Sequence, residues 1–325
     1  MIARWAGFQS PLADGITRFL AHKRALGRRF DTEDKQLRLF DRFLVQQQIA
    51  RIDDLTADVV TTFLAAHAWR RARSYNQLLG VLRRLFDWLI LHEILARSPV
   101  QATPRRVTDQ RLPYLFDAAM ARRLLEAAAA LPDQPRVRHR GTTYHTIFAL
   151  LYGLGLRVGE VSRLRRTDVD LERHVLVIRG TKFGKSRLVP FGPRLGIVLG
   201  QYLALVPSTP PDAPVFSFTR RGAIHPGTIS QTFHHLVPRL GVTIPPGVAA
   251  PRLHDLRHAF AVGTVLRWYR AGVDPSGRLF HLATFLGHVS PSSTAVYITI
   301  TAELLHEANR RFETFAAPSL PETAP

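Results

Sequence analysis

The chain has 325 residues, 46% of them hydrophobic, with 44 Lys and Arg against 25 Asp and Glu and no cysteine. That length accommodates two domains with cores of their own, and the lack of cysteine excludes disulfides and thiolate metal sites, while no run of about 18 apolar residues exists to span a bilayer. The net charge of +19 points to a polyanion as partner, and nucleic acid comes before a membrane surface because no basic amphipathic helix or lipidation signal accompanies the charge. A merely solubilising basic surface is the alternative. The first residues, Met1-Ile2-Ala3-Arg4-Trp5, carry no secretory pattern, so a cytoplasmic, nucleoid-associated protein is expected.

Taken in order, apolar residues at helical spacing predict four helices before residue 95. They are marked by Leu12, Ile16, Phe19 and Leu20, by Leu37, Phe40, Phe43 and Leu44, by Val59, Val60, Phe63 and Leu64, and by Leu78, Leu82, Leu85, Phe86 and Leu89. Asp31-Thr32 and Thr56 read as start signals for the second and third, and Gly27 lies near the end of the first. Between the third and fourth, Trp69 to Asn76 interleaves Arg70, Arg71 and Arg73 with aromatic and small polar residues. It reads either as a phosphate-contact corner or as a solvated turn with Trp69 and Tyr75 tucked into the core. Ser98-Pro99 is expected to stop the fourth helix. Residues 104–113, Pro-bounded and basic through Arg105 and Arg106, read as a linker able to follow a phosphate backbone. The organisation expected is therefore a helical domain over 1–103, the linker, a second domain over 114–315 and a loose tail over 316–325.

The second domain is predicted to open with a helix from Asp117 to Leu131. A loop from Pro132 to Gly141 and an apolar helix from Thr146 to Leu154 follow, closed by Gly153-Leu154-Gly155, and Arg157-Val158-Gly159-Glu160 opens a short helix. His174–Ile178 and Ser186–Pro190 are strand-like and flank Thr181-Lys182-Phe183-Gly184-Lys185, a hairpin with both lysines at its tip. Helices are predicted over Leu195–Leu205 and Thr228–Leu240, with a short strand at Val215–Phe218 between them. Further helices are predicted over His254–Tyr269, from Asp274 to Leu286 and over Glu303–Phe315, with Ser290–Tyr297 a short helix or turn. The fold class is mainly α with a small antiparallel β-hairpin or sheet.

The chemistry-bearing residues crowd between Arg252 and Tyr297. His254 and Arg257, three apart, face the same side of a helix, and Arg157 opens another helix after a glycine-flanked turn. Two arginines on one phosphodiester would neutralise its non-bridging oxygens, whereas either arginine taken alone reads better as a surface ion pair. Tyr297 is either a packed ring or a nucleophile assisted by cations and by a base such as His288. The chain uses only four lysines, Lys23, Lys35, Lys182 and Lys185; two of them at one hairpin tip suggest a site that needs an amine able to give up its proton. His254 and His258 also have the spacing of a helical zinc site, but Arg257 between them and the lack of a third ligand in register oppose it. No phosphate loop or dinucleotide fingerprint is present, so neither cofactor nor metal is expected.

Gly155-Leu156-Arg157-Val158-Gly159-Glu160, the run Thr181 to Pro190, His254-Asp255-Leu256-Arg257-His258, Leu286-Gly287-His288 and Tyr297 together resemble the ordered signature of the tyrosine recombinases, the phage-integrase family. The likeness extends over about residues 10–315, since the N-terminal helices resemble that family's core-binding domain, which implies that 1–103 binds DNA and makes 114–315 an α+β catalytic domain. It implies that Tyr297 attacks the scissile phosphate to form a 3′-phosphotyrosyl link, and that Arg157 and Arg257 hold the phosphate. It further implies that Lys182 is the general acid at the leaving 5′ oxygen, that His254 and His288 assist proton transfer, and that Glu160 supports Arg157. Arg70, Arg71, Arg73, Arg105, Arg106 and Arg187 are the expected DNA contacts. A homo-tetramer on two DNA duplexes, joined by a four-way junction and sometimes helped by accessory recombinases, follows from the same likeness, without metal or ATP. Phe183 stands where glycine is usual, which keeps Lys185 as a competing acid, and Thr299 replaces a common histidine. The segment before Leu286 is closer to transposon-borne integrases. A relaxing topoisomerase of type IB or a catalytically silent DNA-binding protein are the alternatives. Target sequence, direction of reaction and partners are not legible.

Overall fold

Four amphipathic helices build the N-terminal part: α1 (Ala13–Ala25), α2 (Asp31–Gln46), α3 (Ala57–Ala66) and α4 (Ala72–Leu91). In this computed structural model residues 7–66, 72–107, 111–180, 186–206, 210–219, 222–288 and 310 are described, and the chain divides into two units, Met1–Gln110 and Arg111–Pro325. The predicted apolar positions meet in the first unit's core, where the Phe40 ring centroid lies 4.8 Å from that of Phe63 and 6.1 Å from that of Phe86. α1 and α4 approach closely at Gly15, where a Cβ would stand 2.6 Å from Leu89 Cδ2. Thr56 caps α3 as expected, its Oγ1 accepting from the Val59 N–H at 3.5 Å.

Two boundaries differ from the sequence reading. Residues 72–76 are the first turn of α4 rather than a turn between helices, because Tyr75 is buried on the same helical face as Leu78, Leu79 and Leu82. The same helix stops at Leu91, short of Ser98-Pro99. There Glu93 takes a left-handed conformation (φ 56) and Ile94 N–H donates to Leu89 O, a C-terminal closure made without glycine. The chain beyond then lies along α4. Arg83 donates to Ala102 O, the Asn76 amide donates to Arg105 O at 2.8 Å and accepts from Arg105 N–H at 2.7 Å, and the Arg105 guanidinium stacks 3.9 Å from the Tyr75 ring centroid.

The second unit contains α5 (Ala118–Ala129), α6 (Arg140–Leu154), α7 (Val158–Ser162), α8 (Pro193–Leu205), α9 (Pro226–Leu236), α10 (Asp255–Arg270) and α11 (Leu279–Leu286). Its three strands, β1 (Val169–Asp170), β2 (Val175–Ile178) and β3 (Arg187–Pro190), form an antiparallel sheet in that order, with Leu176 opposite Val189 on the buried face. The fold is therefore mainly α with a small antiparallel sheet, as expected. α6 runs through the middle of this unit and buries residues around its whole circumference, which is why its sequence shows no polar stripe. It starts at Arg140 rather than Thr146 because the Asp133 carboxylate, back in the preceding loop, accepts the N–H groups of His139 and Arg140 at 3.1 and 2.9 Å.

The segment Val215–Phe218 is not a strand. Val215 and Phe216 are buried core residues in an irregular stretch whose Val215 N–H donates to Leu164 O at 2.8 Å, so burial without ladder pairing explains the apolar run. α9 ends at Leu236 and continues as a 3-10 turn through Pro238 to Leu240, and a 3-10 turn over Ser276–Arg278 precedes α11. β1, two residues long, has no sequence signal. The hairpin tip 181–185, the elements expected over 290–297 and 303–315 (Arg310 excepted), and the tail 316–325 lie outside the described residues.

Candidate functional site

α6 ends on Gly155, whose left-handed backbone (φ +59) and missing side chain are both needed: a Cβ there would stand 2.6 Å from Phe260 Cδ1 on α10 and 3.0 Å from Leu286 Cδ2 on α11. Three chain segments close together at this point. Arg257, in the first turn of α10 and 1% exposed, donates from Nη1 to Gly155 O at 2.6 Å and from Nη2 to Leu286 O at 2.7 Å. Arg157, the residue before α7, donates from Nη2 to Gly287 O at 2.9 Å and from Nη1 to Leu286 O at 3.4 Å. The two guanidinium groups therefore share the Leu286 carbonyl. The turn that offers it is stopped by Gly287 (φ +68) and closed by the His288 N–H donating to Ala283 O at 2.8 Å.

Glu160 organises the cations. Its Oε1 accepts from Arg157 Nη1 and Arg187 Nη1, both at 2.9 Å, and its Oε2 accepts from Arg187 Nη2 at 2.9 Å and from the Arg157 backbone N–H at 3.0 Å. Burial alone would raise its pKa, but the hydrogen bonds and charge of Arg187, then those of Arg157, hold it at about 2. Two guanidinium groups, those of Arg157 and Arg187, thus share one buried carboxylate.

The histidines are kept uncharged. His254 is lowered to about 4, first by burial of its ring and then by the charges of His258, Arg257, Arg157 and Arg252. His288 is likewise lowered to about 4, by burial and then by Arg257, Arg157 and Arg187. His258, edge-on to His254 with ring centroids 4.8 Å apart, is lowered too, mainly by burial. Beneath them Asp255, fully buried, accepts the Arg252 backbone N–H at 2.8 Å and its guanidinium at 2.9 Å. Near neutral pH these rings are uncharged, so each imidazole has one nitrogen that donates and one that accepts a hydrogen bond.

Of the residues singled out from sequence, Arg157, Glu160, Arg187, His254, Arg257 and His288 come together here. Lys182, Lys185 and Tyr297 lie outside the described residues, as do Arg70 and Arg71. Arg73, Arg105 and Arg106 are exposed on the first unit, with Arg105 stacked on Tyr75. Arg187, expected as a DNA contact, has a side chain 10% exposed that is bonded to Glu160 and to Phe285 O at 2.7 Å, at the frame of the site. The signal for this was present in the strand period, since Arg187 shares a face with buried Val189. The carbonyls of Gly155, Leu286 and Gly287, which orient both arginines, have no side-chain signature. Among the described residues no group of three or more His, Asp or Glu is placed to hold a metal.

Residues 116–303 match the model of the phage integrase family. Protein y4rB of Sinorhizobium fredii, which carries a provisional integrase/recombinase name, is 33% identical over 316 residues, covering 94% of this chain and 98% of its own. Tyrosine recombinase XerD of Ralstonia nicotianae is 29% identical over 281 residues, covering 85% and 84%. Among solved structures, the Tn1549 transposon integrase in complex with a circular-intermediate DNA shares the fold with a TM-score of 0.67 at 16% identity, covering 95% of this chain and all of that one. The chain belongs to the phage integrase family, the tyrosine recombinases.

Proposed function

We propose that this protein is a site-specific DNA recombinase that cuts and rejoins strands through a 3′-phosphotyrosyl link on Tyr297. The observation that supports it most is the pairing of Arg157 and Arg257 on the Leu286 carbonyl, with His254 and His288 neutral beside them. In this reading the phenol oxygen of Tyr297 forms a bond to phosphorus as the bond to the 5′ oxygen breaks. A neutral imidazole takes the phenol proton and Lys182 protonates the leaving oxygen, with Lys185 as the competing acid. Both arginines bind the non-bridging oxygens, where charge builds up in the transition state. The ester link keeps the energy of the original bond, so a 5′-hydroxyl from a second duplex reverses the step and exchanges strands without ATP or metal. Four copies of the chain on two duplexes would carry out the exchange through a four-way junction.

The test is covalent capture. A library of duplexes nicked near the cleavage point traps the adduct, and sequencing the captured DNA supplies the target site. Tyr297→Phe should trap none; adduct equal to wild type would sink the mechanism. Lys182→Ala should slow cleavage more than Lys185→Ala, and the reverse ranking reassigns the acid. On a plasmid carrying two sites, recombination alters connectivity, whereas a relaxing enzyme changes linking number only.

A further inference from the structure

Glu160 is shared by two cations of unequal exposure. The Arg157 side chain keeps 33% of its surface open, that of Arg187 keeps 10% and that of Glu160 keeps 2%. Arg187 meets both carboxylate oxygens at 2.9 Å with Nη1 and Nη2, the planar fork that suits a carboxylate, whereas the Arg157 side chain meets Oε1 alone. Arg187 reaches this position by passing beneath the α11 turn. Its Nε donates to Phe285 O at 2.7 Å, and a Cβ on Gly287 would stand 2.7 Å from its Nη1. The buried contacts thus give the tighter partner of Glu160 to Arg187, not to Arg157. A carboxylate paired with Arg157 alone would cancel much of that arginine's charge, because opposite charges at such distance interact strongly away from water.

We propose that Arg187 is a positioning residue for the strand-transfer reaction. It takes up the negative charge of Glu160, so that Arg157, held in place by the same carboxylate, presents an uncancelled positive charge to the scissile phosphate. The inference rests on the reading of Arg157 as a phosphate-neutralising group. An uncharged side chain at 187 would leave Glu160 to Arg157, and the phosphate would lose its cation although Arg157 is still there.

The experiment uses the full chain and two suicide duplexes of the captured site. One carries the natural scissile phosphodiester and the other a methylphosphonate, which has no charge to neutralise, and each variant is compared with wild type on the same duplex. Arg157→Ala and Arg187→Met should both slow phosphodiester cleavage by roughly 100-fold, yet cleave the methylphosphonate within about threefold of wild type. If Arg157→Ala is equally slow on both duplexes, the phosphate-neutralising reading fails and the inference falls with it. If Arg157→Ala recovers on the methylphosphonate but Arg187→Met does not, Arg187 is only a structural brace and the inference fails alone. Adding Glu160→Gln to Arg187→Met removes both charges of the buried pair, and phosphodiester cleavage should return to within about tenfold of wild type. A double variant no faster than Arg187→Met overturns the proposal. Should circular dichroism show Arg187→Met unfolded, the double variant decides: cleavage below about a hundredth of wild type overturns it.

Discussion

His254 and His288 are imidazoles among guanidinium groups, and their lowered pKa values have two consequences with definite signs. Near neutral pH both rings are uncharged, and in the DNA-free protein they should titrate at about 4 rather than 6.5. A bound phosphodiester brings negative charge to the same corner and should move both titrations upward, which imidazole proton resonances can follow with and without a site duplex. Because each folded-state pKa lies below its unfolded value, the unfolded chain binds more protons between the two. Stability is then complete above about 6.5 and declines as pH falls towards 4. Replacing both histidines by glutamine should flatten that acid limb of the melting curve, and an unchanged limb would contradict the assignment. His254 and His288 were legible as candidates because their motifs are short and local. Their charge state was not, since it depends first on burial of the rings in the folded chain and then on neighbouring charges that include Arg157, which arrives from a distant segment.

The site exists because α6, α10 and α11 meet at Gly155 and because α5 holds α6 from the other end. At Gly141 a Cβ would lie 2.2 Å from Ala129 O and 3.0 Å from Leu131 O, both backbone atoms that cannot step aside as a side chain would. Gly141→Ala should therefore destabilise the second unit by about 2 kcal/mol, seen as a thermal midpoint lowered by several degrees, although alanine is the better helix former. A midpoint equal to or above wild type would mean that α5 and α6 do not touch there. The start of α6 shows why such details escape a sequence reading. Its cap is Asp133, in the loop before it, and a loop carboxylate folded back on His139 and Arg140 leaves no pattern at fixed spacing. Val215 and Phe216 mislead in the opposite direction, since an apolar run reports burial, and burial does not require a strand.

With a net charge of +19, binding to duplex DNA should release many counterions. Affinity for a captured site is expected to fall by roughly 1000-fold between about 50 and about 200 mM salt, and a flat salt dependence by fluorescence anisotropy would argue against phosphate contacts as the main source of affinity. The helical character of both units, the small antiparallel sheet and the family itself could be read without coordinates, because helical periodicity and consecutive motif residues are properties of neighbouring positions. The linker was readable as a basic segment, but not its return along α4 through Asn76 and Arg105, which joins residues far apart in the chain. The same limit applies to the cluster from Arg252 to His288. Its residue types announced phosphate chemistry, yet the division of labour among the arginines needed the folded chain. Arg257 went to the core, Arg157 to the open side and Arg187 to Glu160 because carbonyls and a carboxylate from three separated segments compete for their nitrogens, and that competition is settled by packing.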